Sequence, residues 1–161
     1  MSYLHLLATN GGGEFIEWLG KFHPPAASFP IALLVAAAVA EFLWMVKGRF
    51  LFDAASRFCI WFGALAGVLT GILGWFTGGF HVVDEDWTLT VHRWLGTSTD
   101  VCAVVTLVLS EIGRRSGHER IRVAFRALLM VVALMVLAAG FFGGVQVYGL
   151  HHYAWPSSSK S

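Results

Sequence analysis

The sequence has little charge: Asp, Glu, Lys and Arg make up 13% of its 161 residues, whereas 57% are hydrophobic. This balance excludes an ordinary soluble domain, in which about a quarter of the residues are charged. Four stretches are almost free of charge over the roughly 20 residues that a helix needs to cross about 30 Å of hydrocarbon. They are residues 26–46, 58–80, 95–109 with a polar lead-in, and 127–147. The sequence therefore predicts an all-α membrane protein, a four-transmembrane-helix up-and-down bundle.

Other absences narrow the function further. The two cysteines, Cys59 and Cys102, fall at different levels of the predicted helices, which favours packing over a disulfide. The stretch NGGGEF lacks the Lys-Ser/Thr of a phosphate loop, and no serine has a recognisable base beside it. The N-terminus lacks a basic n-region and an apolar segment with a cleavage site, so we expect no cleavable signal peptide.

The basic residues are distributed unequally between the predicted loops. Eight of the eleven lie in two of them: Lys47, Arg49, Arg57 and five arginines between residues 114 and 126. An excess of Lys and Arg marks the cytoplasmic side, where these residues meet anionic lipid, so we expect no nucleic-acid partner. The loop HVVDEDW, expected to be solvated and to cap a helix, then faces outward. Both termini face outward too, into the periplasm if the membrane is a bacterial inner membrane.

The chain divides into three predicted parts. Residues 1–22 form an N-terminal segment in which EFIEWLGKF has aromatic and aliphatic residues at helical spacing, as in a short helix in the membrane interface. Residues 23–152 form the four-helix transmembrane domain, and residues 153–161 an outward-facing tail. Pro24 and Pro25 predict an extended approach to the first helix, with His23 held outside a regular helical face.

Histidines gather at the outer level of the predicted bundle. His23 precedes the first helix, His81 ends the second, His92 begins the third, and His151 with His152 ends the fourth. Histidine is tolerated at membrane interfaces, which is the simplest explanation for any one of them. That explanation weakens because every helix contributes a histidine at the same end.

Small residues share the helical faces of these histidines. The second helix has glycines at 63, 67, 71, 74 and 78, with His81 three residues later. In the fourth, Gly140 and Gly144 lead at plus seven to His151, and in the third His92 shares a face with Gly96 and Asp100. Such stripes allow close helix packing. They also make room for a flat cofactor, for which Gly74, Gly78, Gly140 and Gly144 are our candidates.

The diagonals of an up-and-down bundle suggest how a cofactor is held. Helices one and three face each other, as do two and four, at a distance that two imidazoles and one metal can bridge. His23 with His92 is the preferred axial pair for a haem iron, and His81 with His151 is a second pair. Asp100 is a candidate for proton relay or for orienting an imidazole, unless it is only hydrated in a wet first turn. Copper and zinc remain alternatives, although no HxxxH, HxH or CxxC pair supplies a local chelate.

Several motifs resemble those of domain-of-unknown-function family 2231, small bacterial membrane proteins. They are HPPAASFPIALL, LTGILGW, VHRWLG and GFFGGVQVYGLHH, between residues 22 and 152. The resemblance implies a four-helix membrane fold, marks His23, His92 and one of His151 or His152, and implies an association with periplasmic c-type cytochrome modules. The second histidine of the family motif is replaced here by Ser28.

These observations favour a membrane b-type cytochrome with haem b in the outer half of the bundle. It would link membrane quinol to a periplasmic acceptor, as an electron-transfer subunit of a larger complex or a homo-oligomer and not as a stand-alone enzyme. A scaffold or assembly subunit with interfacial histidines is the first alternative. Copper or zinc handling at the outer surface is the second.

Overall fold

The computed structural model describes residues 13, 15, 16 and 18–153, and these fold into four long helices. Along the chain they are α1 (His23–Lys47), α2 (Phe50–Thr77), α3 (Trp87–Ser116) and α4 (Glu119–Tyr148), followed by a short 3-10 helix, Leu150–Tyr153. Residues 18–20 are also helical and precede α1 through a turn at 21–22. Most of the predicted interfacial segment and of the tail lies outside the described residues, so both assignments stay predictions.

Two of the three loops are tight. Gly48 ends α1 and Gly117 ends α3, each with a positive φ (61° and 67°) that glycine adopts without steric cost. We call this side the arginine end, comprising residues 41–57 and 110–126. The opposite side is the histidine end, comprising residues 18–31, 67–100 and 136–153, and it contains the longer loop between α2 and α3.

Each helix packs against the next in a ring, α1 on α2, α2 on α3, α3 on α4 and α4 on α1. Contacts within the hairpins α1/α2 and α3/α4 are more extensive than those between the hairpins. The core is built from small and branched side chains such as Leu34, Ile60, Ala103 and Leu129, each fully buried. Cys59 and Cys102 pack against this core as free thiols, which confirms their predicted role.

The outer surface of the bundle is apolar. Large side chains such as Phe58, Leu65, Val101 and Leu134 are more than half exposed, as lipid-facing residues are. Within the described part of the chain, four helices are long and apolar enough to cross a membrane, the first of them spanning Trp18–Lys47. The predicted fold class, an all-α four-helix membrane protein, is therefore confirmed. The periplasmic position of the histidine end stays a prediction.

Helix boundaries correct three expectations. His23 is the first residue of α1 and not part of an extended approach, because Pro24 and Pro25 occupy a first turn whose N–H groups have no intrahelical acceptor anyway. The second helix ends at Thr77, so the glycine stripe does not continue to His81. Gly149, with a φ of 78°, ends α4 before His151, so Gly144 and His151 do not share a helical face.

Candidate functional site

The histidine end encloses a cavity of about 470 Å³ between all four helices. Its walls include Ile31 from α1, Gly71 from α2, Gly96 from α3 and Gly140 from α4. It lies where the two hairpins face each other, and their mutual packing is the looser packing of the bundle. A concave site with mainly apolar walls and a few polar groups is typical of a small-molecule or cofactor site.

His23 and His92 meet in this cavity. Their ring centroids are 6.0 Å apart and their planes are inclined by 70°. His23 comes from the α1/α2 hairpin and His92 from the α3/α4 hairpin, so the pair bridges the space between the hairpins. Two imidazoles on one ion, each about 2 Å from the metal, place their ring centroids about 6 Å apart.

Each imidazole is anchored by the neighbouring helix of its own hairpin, and the two anchors have the same design. His23 Nδ1 lies 2.9 Å from the carbonyl oxygen of Thr70, and His92 Nδ1 lies 2.9 Å from that of Ala139. Four residues after each carbonyl comes a glycine on which the ring rests. A Cβ at Gly74 would lie 2.9 Å from His23 Cε1, and one at Gly143 would lie 3.0 Å from His92 Cε1.

These anchors determine which ring nitrogen is available. A carbonyl oxygen only accepts hydrogen bonds, so Nδ1 of both His23 and His92 carries the proton and donates. Nε2 of each ring then holds the lone pair, in the tautomer that ligates a metal. Metal-binding histidines characteristically donate their other ring N–H to a carbonyl or carboxylate in this way.

Asp100 occupies a notch on α2, deeper in the same cavity. A Cβ on Gly67 would lie 2.6 Å from its Oδ1, and Gly71 borders the other carboxylate oxygen. No described residue donates a hydrogen bond to this carboxylate, which lines the cavity wall. An acidic side chain at this depth of a membrane bundle indicates a functional role.

Arg93 closes the rim of the cavity and was not among the predicted site residues. Its guanidinium, with a side chain only 5% exposed, donates to both carboxylate oxygens of Asp84 at 3.0 and 3.1 Å. It also donates to the carbonyls of Gly78 and Gly79 and lies 4.8 Å from the Trp75 ring centre. The signal in the sequence was one basic residue in the otherwise acidic stretch 81–100.

The acidic loop is therefore more structured than expected. Asp84 was expected to be solvated, but it is buried with Arg93, because a guanidinium beneath the loop needs a carboxylate partner. Asp86 caps α3 as predicted, accepting from the Thr88 backbone N–H at 2.8 Å. This bond, followed by those from the Thr88 hydroxyl and the Gln146 amide, holds the pKa of Asp86 below its ordinary value.

The candidate glycines make room mainly for side chains of this chain. Gly74 accommodates His23, Gly78 lies against the Arg93 guanidinium, and Gly140 faces Ile31, while Gly144 lines the cavity. Gly143, which supports His92, was not among the candidates. The adjacent pair of glycines in GFFGGVQ was the available signal for it.

The second predicted pair is placed elsewhere. His81 is exposed in the loop after α2, and His151 is exposed in the 3-10 helix, and neither lines the cavity. Among the residues that the structure describes, no group of three or more His, Cys, Asp or Glu side chains could hold a metal ion. The donor set of the described cavity is thus two imidazoles with one carboxylate deeper in the wall.

The comparisons with known proteins agree with this architecture. A family model described as predicted membrane protein (DUF2231) matches residues 21–154, so the chain belongs to that family and the resemblance seen in its motifs is confirmed. No curated protein and no solved structure gave a match.

Proposed function

We propose that this member of the DUF2231 family is a b-type cytochrome-like electron-transfer subunit, in which His23 and His92 would hold one haem. The observation that carries the proposal is their juxtaposition across the cavity, with ring centroids 6.0 Å apart and both Nδ1 groups engaged by backbone carbonyls. Iron held by two imidazoles needs no third protein ligand, so the small donor set fits this group.

The surroundings of the pair also fit a flat group. The cavity lies between the two hairpins, each of which contributes one imidazole and a glycine-lined wall. Gly96 offers open space, since a Cβ there would meet no atom within 4 Å. The walls are predominantly apolar, which excludes water and adjusts the redox potential of a bound haem.

The residues of this chain have distinct roles in the proposal. His23 and His92 would hold and orient the haem, which would supply a one-electron carrier. Thr70 and Ala139 fix the tautomers of the two rings through their carbonyl oxygens. Asp100 would take up or release a proton within the same cavity. This would compensate the change in charge when the subunit gains or loses an electron. Quinol on the membrane side and a periplasmic c-type cytochrome are the proposed redox partners.

Spectroscopy tests this function directly. Protein purified from cells supplied with haem is expected to show a sharp α-band in its dithionite-reduced minus oxidised spectrum. Replacement of His23 or His92 with Ala is expected to abolish or convert the same component, because both rings bind one iron. His81→Ala and His151→Ala are the matched controls and should leave the spectrum unchanged. Absence of the α-band from the wild-type protein would refute the proposal.

The same preparation addresses the alternatives left open by the sequence. Copper or zinc handling predicts one metal ion per chain in elemental analysis, with no haem band. A scaffold subunit predicts neither metal nor haem, and a stability that does not change when haem, copper or zinc is supplied. We prefer the haem proposal, because the described residues bring together two imidazoles without the further ligands of a closed zinc site.

A further inference from the structure

A second cavity lies at the arginine end, about 400 Å³ in volume. Its apolar wall is formed by aromatic side chains, among them Trp44, Phe50 and Phe125. Its polar wall includes Ser110, Arg114 and Arg122. It does not overlap the haem site proposed above, since the two cavities share no lining residue.

Three buried polar atoms of the polar wall have no hydrogen-bond partner among the described residues. They are Ser110 Oγ, Arg114 Nε and Arg122 Nε. Ser110 is only 3% exposed. An unsatisfied buried polar group costs about 1–3 kcal/mol, and more when it is charged, so such atoms usually have a partner that the protein itself does not supply.

The ion pairs of the arginine end explain why the Nε atoms of Arg114 and Arg122 have no partner. Arg114 uses Nη1 for both oxygens of Asp53, at 2.8 and 2.9 Å, and Arg122 uses Nη2 for Glu119. Neither pair engages Nε. An arginine Nε–H can only donate, so the missing partner is an acceptor and most favourably an anion.

The charge of the arginine end also favours an anion. The cavity wall contains three arginines and two carboxylates, Glu41 and Asp53, and Arg122 pairs with Glu119 just outside the wall. The adjoining loops add four more basic residues, and none of them is paired with a carboxylate of the cavity wall: Lys47, Arg49, Arg115 and Arg120. Positive potential of this kind at the boundary of a membrane attracts acidic lipid headgroups.

We propose that the arginine-end cavity binds the phosphate group of an anionic phospholipid. The phosphate oxygens accept from Arg114 Nε, Arg122 Nε and the Ser110 hydroxyl, and the first part of an acyl chain lies along Trp44, Phe50 and Phe125. A lipid is the favoured source of the phosphate because the cavity combines these donors with an aromatic wall at the end of four candidate spans. Free inorganic phosphate offers the same acceptors without using that wall.

Native mass spectrometry of the delipidated full-length protein tests the site. Phosphatidylglycerol is expected to bind at least about tenfold more tightly than phosphatidylcholine, because the arginine end carries net positive charge. Arg122→Gln is expected to weaken phosphatidylglycerol at least about tenfold, since it removes a charged donor and otherwise leaves only the exposed Glu119 unpaired. Arg120→Gln is the matched control, because it makes the same charge change at an exposed residue outside the cavity and should have less than a twofold effect.

Ser110→Ala gives a second, independent test. It removes one unpartnered hydroxyl and breaks no ion pair, so the fold is retained even if Arg122→Gln proves unstable, and a loss of about threefold is expected. Equal binding of the two lipids, or equal losses in Arg122→Gln and Arg120→Gln, would overturn the proposal. If inorganic phosphate binds with the same dependence on these variants while the lipid does not, the lipid source is overturned and a phosphate site remains. The haem spectrum does not enter these measurements, so the two proposals can fail separately.

Discussion

The two ends of the bundle hold their ionisable side chains in different ways. At the histidine end, His23 and His92 are held by backbone carbonyls and rest on glycines. At the arginine end, cations are held by carboxylates, as in the pairs of Arg126 with Glu41 and Arg114 with Asp53. A carbonyl anchor orients an imidazole without compensating a charge, whereas an ion pair neutralises both of its members.

This difference separates side chains that stabilise the fold from side chains that can bind a ligand or a proton. The Nε2 atoms and the Asp100 carboxylate have no intramolecular hydrogen bond within the described structure, so they can bind a ligand or a proton. Arg93 differs from these groups at the histidine end, because it donates to both carboxylate oxygens of Asp84 and to two carbonyls. Like the paired arginines of the opposite end, Arg93 stabilises the fold. It fixes the rim of the cavity around the two imidazoles and the Asp100 carboxylate.

Loss of Arg93 is expected to have the largest effect on stability. Arg93→Gln leaves Asp84, whose side chain is 9% exposed, without its cation, and should lower the free energy of unfolding by about 3–5 kcal/mol. Arg57→Gln breaks the pair with Glu111 at the arginine end, where Arg57 is half exposed, and should cost no more than about 1 kcal/mol. SDS titration in mixed micelles measures both. Equal losses of unfolding free energy in the two variants would contradict the conclusion that Arg93 stabilises the rim of the cavity through a buried ion pair.

The glycine supports come next in expected effect. Gly74→Ala places a methyl group against the His23 ring and should cost about 1–3 kcal/mol, together with loss of the α-band that the proposed haem would give. Gly96→Ala adds the same methyl group in open space of the same cavity and should be neutral or slightly stabilising, since alanine favours helix. Thermal unfolding in detergent distinguishes the two variants. A tolerated Gly74→Ala would show that the ring does not depend on that glycine.

The sequence alone predicted the four-helix fold and the proximity of one pair of residues, His23 and His92. Long uncharged stretches predict spans directly, and an up-and-down order makes α1 and α3 diagonal, which brought His23 and His92 together in the prediction. The prediction for His23 was wrong because it applied the restriction that proline places on helix interiors, whereas proline is tolerated in the first turn of a helix. His81 was given a helical register because the end of α2 at Thr77 depends on the turn that Arg93 and Asp84 stabilise.

The partners of each small residue could not be deduced. A glycine stripe shows that something approaches closely, but the same spacing fits a helix, a cofactor or a side chain from elsewhere in the chain. Gly67 and Gly71 receive Asp100, and Gly78 receives Arg93, through contacts that depend on the rotation of α3 against α2. That rotation is set by packing of the whole bundle and leaves no local pattern.

The start of α3 provides the smallest and most local test of the comparison. Because Asp86 has a lowered pKa in the folded protein, its stabilising effect is fully present above its unfolded value of about 3.9 and is lost as the pH falls through the folded value. The start of α4, at His118 in the arginine end, has no side-chain cap, so it lacks this carboxylate–backbone bond. Hydrogen exchange, corrected for intrinsic rates, should show protection of the first turn of α3 falling at acid pH relative to that of α4. Asp86→Asn keeps a capping oxygen that does not titrate and should remove this dependence, and if it persists in Asp86→Asn, another group is responsible.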